Sequence, residues 1–422
     1  MSLKKEGYKD RIIDDKIKKN LKLFGAISLE GPKWCGKTWT ALNHANSVVY
    51  LNNVSNNFNE RALAKMNVDL ILNKEYPELI DEWQEVPAIW DGVRFKCDED
   101  QKRGKYILTG SATPVTKDIH HSGAGRICRI KMYTMSLYES GDSSGKVSLK
   151  SLFENNVKDK LTGKVDLKNL IQLIIRGGWP QSIGMGEEES LELTQSYIND
   201  VLNFDISNID GVTRDINKMR MILRSLARNE STIVNNNTII KDVNEDMDLA
   251  SKNTVLDYIN VLEKLYLIEN QIAFSINLRS SSRVGKSAKR HFVDPSLVCG
   301  ILGLTSESLL NDVNFLGFLF EALCERDLKI YIESYNGNLY HFRDNTTGLE
   351  IDSIVEMPNG EYGAIEIKLG TDKIEEAATN LLKFNELVEK KPKFLCIISG
   401  LYEAIIRRPD GIYVIPITAL KN

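Results

Sequence analysis

The sequence predicts an α/β protein with a parallel sheet first, a helical middle and a second, small α/β domain at the end. Two observations predict this fold class. Strand-like apolar runs alternate with helix-compatible segments up to about residue 140, and strand-like runs follow one another again after residue 335. Such alternation is typical of parallel sheets, because parallel strands need a long crossover connection. At 422 residues the chain exceeds a single core, and we place its domains at 1–140, 141–305 and 306–422.

The composition is that of a globular protein. Hydrophobic residues make up 42% and charged residues 27% of the chain, and the formal net charge is −4. Contact with nucleic acid would therefore require a local basic patch. No apolar run approaches the ~20 residues of a membrane span, and residues 1–6 lack the apolar core of a signal peptide. We expect a cytoplasmic protein without membrane contact.

The segment Gly31–Thr38 matches the phosphate-binding pattern G-x-x-x-x-G-K-[ST]. Its context is the required one, because the apolar run Ala26–Leu29 precedes it and helix-compatible residues follow it. The two glycines let successive backbone N–H groups face phosphate oxygens, and the following helix adds the positive end of its dipole. We predict that this loop binds ATP or GTP through the following residues: Gly31, Pro32, Lys33, Trp34, Cys35, Gly36, Lys37 and Thr38.

Three side chains of this loop have distinct expectations. Lys37 reaches the β- and γ-phosphates and takes part in catalysis, and the Thr38 hydroxyl holds Mg²⁺. Cys35 is either open to oxidation or alkylation, or occupies a tolerated variable position of the loop. The 6 cysteines of the chain include no C-x-x-C pair, which argues against a zinc module or a disulfide framework.

The segment Leu79–Glu82 ends a predicted strand in two acids. A phosphate-binding loop needs such a strand as its partner. Asp81 is expected to hold Mg²⁺ through water, and Glu82 to polarise the attacking water as the general base. The alternative is an acidic strand end that only faces solvent.

Further candidates for the γ-phosphate site follow along the chain. The strand Lys105–Leu108 ends in a polar turn, and polar residues at that end of a strand face the ligand crevice of an open sheet. Thr109 or Ser111 is therefore a candidate γ-phosphate sensor, with a simple turn as the alternative. Arg126, on a glycine-rich turn, is a candidate arginine finger for its own or a neighbouring subunit. Arg129 is a rival, and an ordinary surface arginine is the alternative.

Together these segments resemble a family of prokaryotic AAA+-type ATPases that carry an uncharacterised C-terminal domain with a nuclease-like core. The resemblance covers nearly the whole chain and implies ATP rather than GTP as the ligand. It also implies an additional sheet strand, for which Val48–Leu51 is the candidate. Arg176–Pro180 resembles a glycine-rich signature that follows the ATPase core of that family. The segments that carry the resemblance are Gly31–Thr38, Leu79–Gln84, Leu108–Ser111 and Ser122–Arg126.

The middle region predicts a winged helix-turn-helix. It opens with a polar stretch, at about 141–166, whose glycines and serines indicate loop or linker. Helical spacing follows from Ile216, at Thr238–Glu245 and at Ser251–Ile268, the last behind a serine N-cap. The strand Gln271–Phe274 comes next. Three helices and a strand in this order are typical of a winged helix.

A run of cations without acids follows that strand. As the wing, this basic loop would neutralise nucleic-acid phosphates and give salt-sensitive DNA binding. The alternatives are a solvated loop or a contact with an acidic surface elsewhere in the chain, and winged helices also serve as protein-contact modules. The cations of the basic loop are Arg279, Arg283, Lys286, Lys289 and Arg290.

The C-terminal region is similar to the PD-(D/E)xK nuclease core in its order of helix, three strands, helix and strand. Glu366 and Lys368 are two apart on a strand and so share a face, and Asp352 on the neighbouring strand can join Glu366 in holding Mg²⁺. Lys368 would orient the attacking water, with Glu321 as an additional carboxylate. The alternative is a solvated charged face. The predicted elements are Phe315–Leu328, Leu339–Phe342, Leu349–Val355, Gly363–Lys368, Ile374–Val388 and Phe394–Ile398.

The predicted function is Mg²⁺-dependent ATP binding and hydrolysis of the AAA+ type, acting on or regulated by nucleic acid. Two alternatives stay open. One is a metal-dependent DNA nuclease that ATP gates. The other is a nucleotide-regulated switch that binds DNA or protein and carries a nuclease-like domain that does not cut. Because an arginine finger often completes a neighbour's site, Arg126 also predicts a homo-oligomer.

Overall fold

The computed structural model describes residues 3–100, 102–110, 119–206, 209, 211–245, 251–275, 288–344 and 346–422. Four predicted site residues lie outside the described residues: Ser111, Arg279, Arg283 and Lys286. Among the described residues, no helix combines the length and the apolar composition that a membrane span requires. The chain forms two compact units. The first comprises Met1–Thr134, Phe204–Arg214 and Lys264–Tyr266, and the second comprises Met135–Asn203, Asp215–Glu263 and Leu267–Asn422.

The first unit is built on a five-stranded parallel sheet. The strand expected at Val48–Leu51 is confirmed as its edge strand. The strand that follows the acidic segment lies between the acidic strand and the strand that leads into the loop, so the carboxyl ends of all three meet at one edge. Open parallel sheets bind their ligands at this edge. In sheet order the strands are β2 (Ser47–Tyr50), β3 (Glu78–Asp81), β4 (Tyr106–Gly110), β1 (Ala26–Glu30) and β5 (Ile127–Lys131).

Two apolar cores hold helices against the two faces of this sheet. Successive strand side chains point to opposite faces, so Ile107 packs in one core and Leu108 in the other. The first core takes Ile17 and Leu42 from helices, and the second takes Trp90. The helices of this unit are α1 (Ile13–Leu21), α2 (Lys37–Leu42), α3 (Asn59–Met66) and α4 (Ala88–Asp100).

The second unit begins with short elements that pair with the end of the chain. β6 (Val147–Ser148) lies parallel to β16 (Leu420–Lys421), and β7 (Lys160–Leu161) is antiparallel to β14 (Ala404–Arg407). The glycines of this stretch lie in turns and loops as predicted, but the short strands between them were not predicted. Two-residue strands are too short to show a hydrophobic pattern, and their partners lie far away in the sequence. The helices of this part are α5 (Leu137–Ser140), α6 (Leu149–Phe153), α7 (Leu167–Arg176) and α8 (Glu187–Asp200).

Three helices and an antiparallel hairpin form the middle of the second unit. The hydroxyl of Ser251 accepts the backbone N–H of Thr254, as expected of an N-cap. The strand expected at Gln271–Phe274 begins earlier, at Ile268, because the preceding helix already ends at Lys264. The elements are α9 (Ile216–Arg228), α10 (Asn236–Glu245), α11 (Lys252–Lys264), β8 (Ile268–Gln271) and β9 (Lys289–Phe292).

The C-terminal part of the second unit has the predicted order of helix, three strands, helix and strand. These elements are α14 (Val313–Ser334), β10 (Asn338–Arg343), β11 (Glu350–Glu356), β12 (Tyr362–Lys368), α15 (Ile374–Leu387) and β13 (Leu395–Ser399). β10, β11 and β12 are antiparallel neighbours, and β13 lies parallel to β12. β15 (Tyr413–Pro416), β14 and β7 extend the sheet to seven strands. Two short helices precede α14, namely α12 (Pro295–Leu302) and α13 (Ser306–Asn311).

The glycine-rich segment Arg176–Pro180 packs closely against other buried segments of the second unit. A Cβ atom on Gly178 would lie 2.1 Å from the Met135 carbonyl oxygen, so a larger residue does not fit. The Gly178 N–H donates to Asp294 (2.9 Å), and the same carboxylate pairs with Arg326 (3.1 Å). All of these groups are buried, where an ion pair needs such hydrogen bonds to satisfy it. The segment thus supports the core of this unit.

Candidate functional site

The backbone of the phosphate-binding loop requires both of its glycines. Gly36 has φ +99°, in the left-handed region, and Gly31 has φ +157°. A Cβ atom on Gly31 would lie 2.1 Å from the Met132 carbonyl oxygen. The loop joins β1 to α2, so its backbone curls at the carboxyl edge of the sheet. A curled run of N–H groups at that position is suited to bind phosphate oxygens.

Lys37 is buried, and within the part of the chain that the structure describes its ammonium group donates hydrogen bonds to neutral acceptors. Its Nζ donates to the carbonyl oxygens of Gly31 (2.9 Å) and Pro32 (2.7 Å). Hydrogen bonds to a charged donor are strongest when the acceptor is charged as well. Phosphate oxygens that enter the loop can therefore replace these carbonyl groups with a gain in free energy.

The side chains of Thr38 in α2 and Thr109 in β4 both contact Asp81 at the end of β3. Its Oδ1 atom accepts from the Thr38 hydroxyl (2.8 Å) and from the Thr109 hydroxyl (2.6 Å). The sheet order explains this meeting, because Thr109 of β4 is the register partner of Asp81 in β3. A hydroxyl and a carboxylate are hard oxygen ligands, so Thr38 and Asp81 fit Mg²⁺.

Glu82 follows β3 in a left-handed backbone conformation, with φ +58°. This conformation is uncommon outside glycine and is enriched at functional sites. The Glu82 N–H donates to Thr109 Oγ1 (3.4 Å), and the Glu82 carboxylate accepts from the side-chain amide of Gln84. The structure thus brings the predicted general base next to the predicted γ-phosphate sensor. It adds Gln84, which the sequence pattern does not distinguish from any polar turn residue.

The remaining loop residues are held within the first unit. Cys35 is fully buried, and its carbonyl oxygen accepts from the Arg11 guanidinium (2.9 Å). This burial favours a structural position over a reactive thiol. Lys33 is half exposed and pairs with Asp205, and Trp34 has a positive φ of +74°. Arg11 carries no sequence motif, so its support of the loop was not predictable.

Arg126 is not brought together with the loop. Its carbonyl oxygen accepts the N–H of Ala26, the first residue of β1, so Arg126 lies at the opposite edge of the sheet. Its guanidinium pairs with Asp98 (2.8 Å). Arg129, the rival, lies closer, because it pairs with Glu30 (3.1 Å), which directly precedes the loop. A finger role for Arg126 therefore requires a neighbouring subunit.

In the second unit, Asp352, Glu366 and Lys368 are brought together as predicted. The Lys368 Nζ lies 3.1 Å from Asp352 Oδ2 and 2.6 Å from Glu366 Oε2. Burial raises the pKa of Glu366 well above its usual value, and Asp352 adds to the rise. Burial acts in the same direction on Asp352, but Lys368 and Lys289 outweigh it and lower the pKa of Asp352. The surroundings therefore shift the pKa values of the two acids in opposite directions.

Two more acids and a second lysine complete this group. Glu321 and Glu325 are one turn apart on α14 and so lie on the same side of the helix. Lys289 of β9 pairs with Glu321. We call the following residues the carboxylate cluster: Glu321, Glu325, Asp352, Glu366, Lys289 and Lys368. Glu325 was not predicted, although its spacing from Glu321 is a signal that would have found it.

The carboxylate cluster does not fit the expected Mg²⁺ site. Among the residues that the structure describes, no three His, Cys, Asp or Glu side chains are arranged to hold a metal ion. Asp352 and Glu366, the expected ligands, are both in contact with Lys368. The two lysines already offset part of the negative charge that would attract a divalent cation.

Two residues of the predicted basic loop are corrected by the structure. Lys289 and Arg290 form the start of β9 rather than a loop. Lys289 is only 6% exposed and contacts the carboxylate cluster, so it does not offer its charge to nucleic acid. The Arg290 side chain donates to Asn270 (3.2 Å) and Asn236 (3.2 Å). The two adjacent cations Lys289 and Arg290 hide the alternation of a strand, and this is why the two residues were misplaced.

Comparisons with known protein families match three parts of the chain to family models, and one of these models has a functional description. Residues 24–141 match a family model described as an AAA domain. Residues 167–308 match a domain of unknown function (DUF8612), and residues 316–420 match another domain of unknown function (DUF4143). Residues 24–141, which contain the phosphate-binding loop, therefore form a domain of the AAA type.

Several solved structures are similar to this chain. A Walker-type ATPase of Pyrococcus abyssi has 14% identity over 71% of this chain and 98% of the other, with a TM-score of 0.47. The replication initiator DnaA bound to AMPPCP and single-stranded DNA has 14% identity over 60% and 86%, with a TM-score of 0.28. AMPPCP-bound DnaA from Aquifex aeolicus has 16% identity over 61% and 89%, with a TM-score of 0.26. No curated protein matches the sequence.

Proposed function

We propose that this protein hydrolyses ATP with Mg²⁺ at the phosphate-binding loop of the first unit. The observation that carries the proposal is the meeting of the Thr38 and Thr109 hydroxyls at Asp81 Oδ1, beside the loop. A pocket that only binds nucleotide has no need for a polar group on the neighbouring strand or for a second acid. Here Glu82 supplies that acid in a left-handed turn.

Each residue of the site has one proposed role. The loop backbone and Lys37 bind the phosphates. Thr38 and Asp81 hold Mg²⁺, which supplies positive charge to the phosphate oxygens when bound. Glu82 orients the attacking water and accepts its proton, and Thr109 senses the γ-phosphate.

The proposal is tested by phosphate release from ATP in the presence of Mg²⁺. We expect Lys37→Ala to abolish turnover, because the ammonium group that binds the β- and γ-phosphates is removed. Lys65→Ala serves as the control, since Lys65 is an exposed lysine on α3 of the same unit. Unchanged turnover in the Lys37 variant would refute the assignment.

The second unit supports a further candidate, a nucleotide-regulated switch whose nuclease-like domain does not cut. The order of elements from α14 to β13 and the meeting of Asp352, Glu366 and Lys368 support a PD-(D/E)xK-like core. The three helices and hairpin of the middle support a winged helix. Because Lys368 pairs with both acids, the geometry favours this switch over an ATP-gated nuclease.

Plasmid nicking in the presence of ATP and Mg²⁺ or Mn²⁺ separates these two candidates. A switch without cleavage predicts that wild type and Asp352→Ala nick equally little. Metal-dependent nicking by the wild type that Asp352→Ala abolishes would establish the nuclease instead.

Nucleic acid is the partner class proposed for the switch. Charge reversal at Arg283 in the basic loop should weaken binding to duplex DNA at low salt, because each phosphate contact releases counterions. Fluorescence anisotropy of labelled DNA measures this change. An unaltered affinity would indicate that the winged helix contacts a protein.

A further inference from the structure

The β8–β9 hairpin presents two polar side chains, those of Gln271 and Lys289, to acids of α14. Gln271 and Lys289 are register partners across the hairpin, and Lys289 and His291 are two apart on β9 and so share a face. Lys289 pairs with Glu321, and the Gln271 amide donates to Glu325 (2.7 Å). The hairpin thus contributes a cation and a hydrogen-bond donor to acids of α14.

Buried contacts hold this face of the hairpin in place. The two ring nitrogens of His291 lie 2.9 Å from Glu230 and 3.2 Å from the Gln271 side-chain oxygen. Glu230 also accepts the backbone N–H of Phe292 (2.9 Å). His291, Glu230 and Gln271 are all buried. Because each of them has a partner, β9 is fixed and Lys289 is aimed at the cluster.

Lys289 is needed for the charge balance of the cluster. Burial disfavours its charged form, but Glu321, Asp352 and Glu325 outweigh burial and raise the pKa of the Lys289 ammonium group. Burial raises the pKa of Glu321 itself to about 7. Buried carboxylates of this kind remain charged only beside a cation. Without Lys289, the acids of the cluster would have to take up protons or another cation.

We propose that Lys289 occupies the cation position of the carboxylate cluster and thereby excludes a divalent metal ion from it. The inference rests on the proposed nuclease-like core. It adds to the contacts of Lys368 a second cause of the poor fit to Mg²⁺ that lies outside the motif of that core, since a lysine from the hairpin pairs with Glu321. Removal of this ammonium group should free Glu321 as a hard oxygen ligand for a divalent cation.

The experiment is calorimetric titration of the nucleotide-free, full-length chain with Mn²⁺. Lys289→Met removes the charge and keeps a long unbranched side chain, while Lys289→Arg keeps a cation and serves as the matched control. We expect Lys289→Met to bind Mn²⁺ at least about tenfold more tightly than the wild type, and Lys289→Arg to behave as the wild type. Addition of Asp352→Asn to Lys289→Met should remove the gain.

An unchanged Mn²⁺ affinity in a Lys289→Met variant that retains its circular dichroism spectrum would overturn the proposal. If that variant does not fold, the test compares the wild type with Asp352→Asn. If Lys289 excludes the metal ion, the wild type has no Mn²⁺ site in the cluster, so Asp352→Asn should leave Mn²⁺ binding unchanged. Loss of a wild-type site in Asp352→Asn would also overturn the proposal. Failure of the non-cutting switch has a separate readout, since it would appear as plasmid nicking by the wild type.

Discussion

The two units each contain a lysine beside strand acids, buried in the first unit and partly buried in the second, but the partners of the two lysines differ. In the first unit Lys37 donates to two backbone carbonyl oxygens, and Asp81 accepts from two threonine hydroxyls. In the second unit Lys368 contacts the carboxylates of Asp352 and Glu366 directly. The same residue types therefore form two different centres. In the first unit the lysine donates to neutral acceptors and can still pair with a charged ligand, whereas in the second unit it is already paired with carboxylates.

The difference has an energetic consequence. A charged ligand gains free energy in the first centre because it replaces neutral acceptors of Lys37. In the second centre a cation must first displace a lysine from a buried ion pair, and breaking such a pair costs several kcal/mol. We infer that the partners of the lysine, rather than the presence of a phosphate-binding or nuclease motif, decide whether a centre binds a charged ligand.

The largest expected effect concerns Glu82, the proposed general base of the first centre. Glu82→Gln should lower ATP turnover by roughly 10²- to 10⁴-fold, the usual contribution of a general base. ATP binding should persist, because the amide keeps the size of the side chain and the loop is unchanged. Phosphate release and titration with a fluorescent ATP analogue measure the two effects. Glu75→Gln, at an exposed position, is the control, and equal loss of binding and turnover would contradict the proposed role.

The second prediction compares the two lysines by stability. Lys368→Met leaves Asp352 and Glu366 without their cation and should lower the free energy of unfolding by about 3–5 kcal/mol. Lys37→Met breaks only hydrogen bonds to carbonyl groups and should cost about 1 kcal/mol. Denaturant unfolding followed by circular dichroism gives both values. Similar losses in the two variants would show that the pairing difference has no energetic weight.

The order of elements was predictable wherever local patterns carry it. The loop Gly31–Thr38, the strand end at Asp81 and the second unit's run from α14 to β13 follow from alternating apolar residues and from the spacing of Glu366 and Lys368. These features depend on neighbours in the sequence. A few residues therefore sufficed to locate each of them.

The partners that decide the state of each centre were not predictable. Arg11 reaches the loop and Lys289 reaches α14 only through the tertiary fold. The cations around Lys289 left open a solvated loop or a contact with an acidic surface elsewhere in the chain, and only the fold shows that Lys289 contacts an acid and that this acid is Glu321. Charge pairing between distant segments is a tertiary property, so sequence reasoning found three acids of the cluster and Lys368, but neither Glu325 nor the pairing of Lys289 with Glu321.

The third prediction concerns ligand addition to the first centre. ATP with Mg²⁺ at about 100 times its Kd should stabilise the protein by about 2.7 kcal/mol, because it binds only the folded state. Mg²⁺ alone should have little effect, since the counter-charge for Lys37 comes with the phosphates. Thermal unfolding with and without ligand measures the shift, and Lys37→Ala should remove it. A shift that survives in this variant would locate the ligand elsewhere.

The first unit also contains an acid whose charge is disfavoured by burial rather than offset by a lysine. Glu78 at the start of β3 is fully buried, and its Oε2 accepts the backbone N–H of Lys74 (3.2 Å). Its Oε1 has no hydrogen-bond partner among the described residues. Burial raises the pKa of Glu78 to about 7. Where the second unit pairs its acids with lysines, burial favours the protonated form of Glu78 below about pH 7.

This raised pKa predicts the smallest effect, on the pH dependence of stability. Because the folded pKa exceeds the ordinary value of 4.5, the contribution of Glu78 to stability is fully present below pH 4.5 and is lost as the pH rises through about 7. Glu78→Gln stays neutral at every pH, so it should be more stable than the wild type by roughly 1–2 kcal/mol at pH 8, with little advantage at pH 4.5. Thermal unfolding across this range measures the difference, with Glu75→Gln as the exposed control. Parallel curves for the wild type and Glu78→Gln would mean that Glu78 keeps its charge in the folded state, and that a cation neutralises it as lysines neutralise the acids of the second unit.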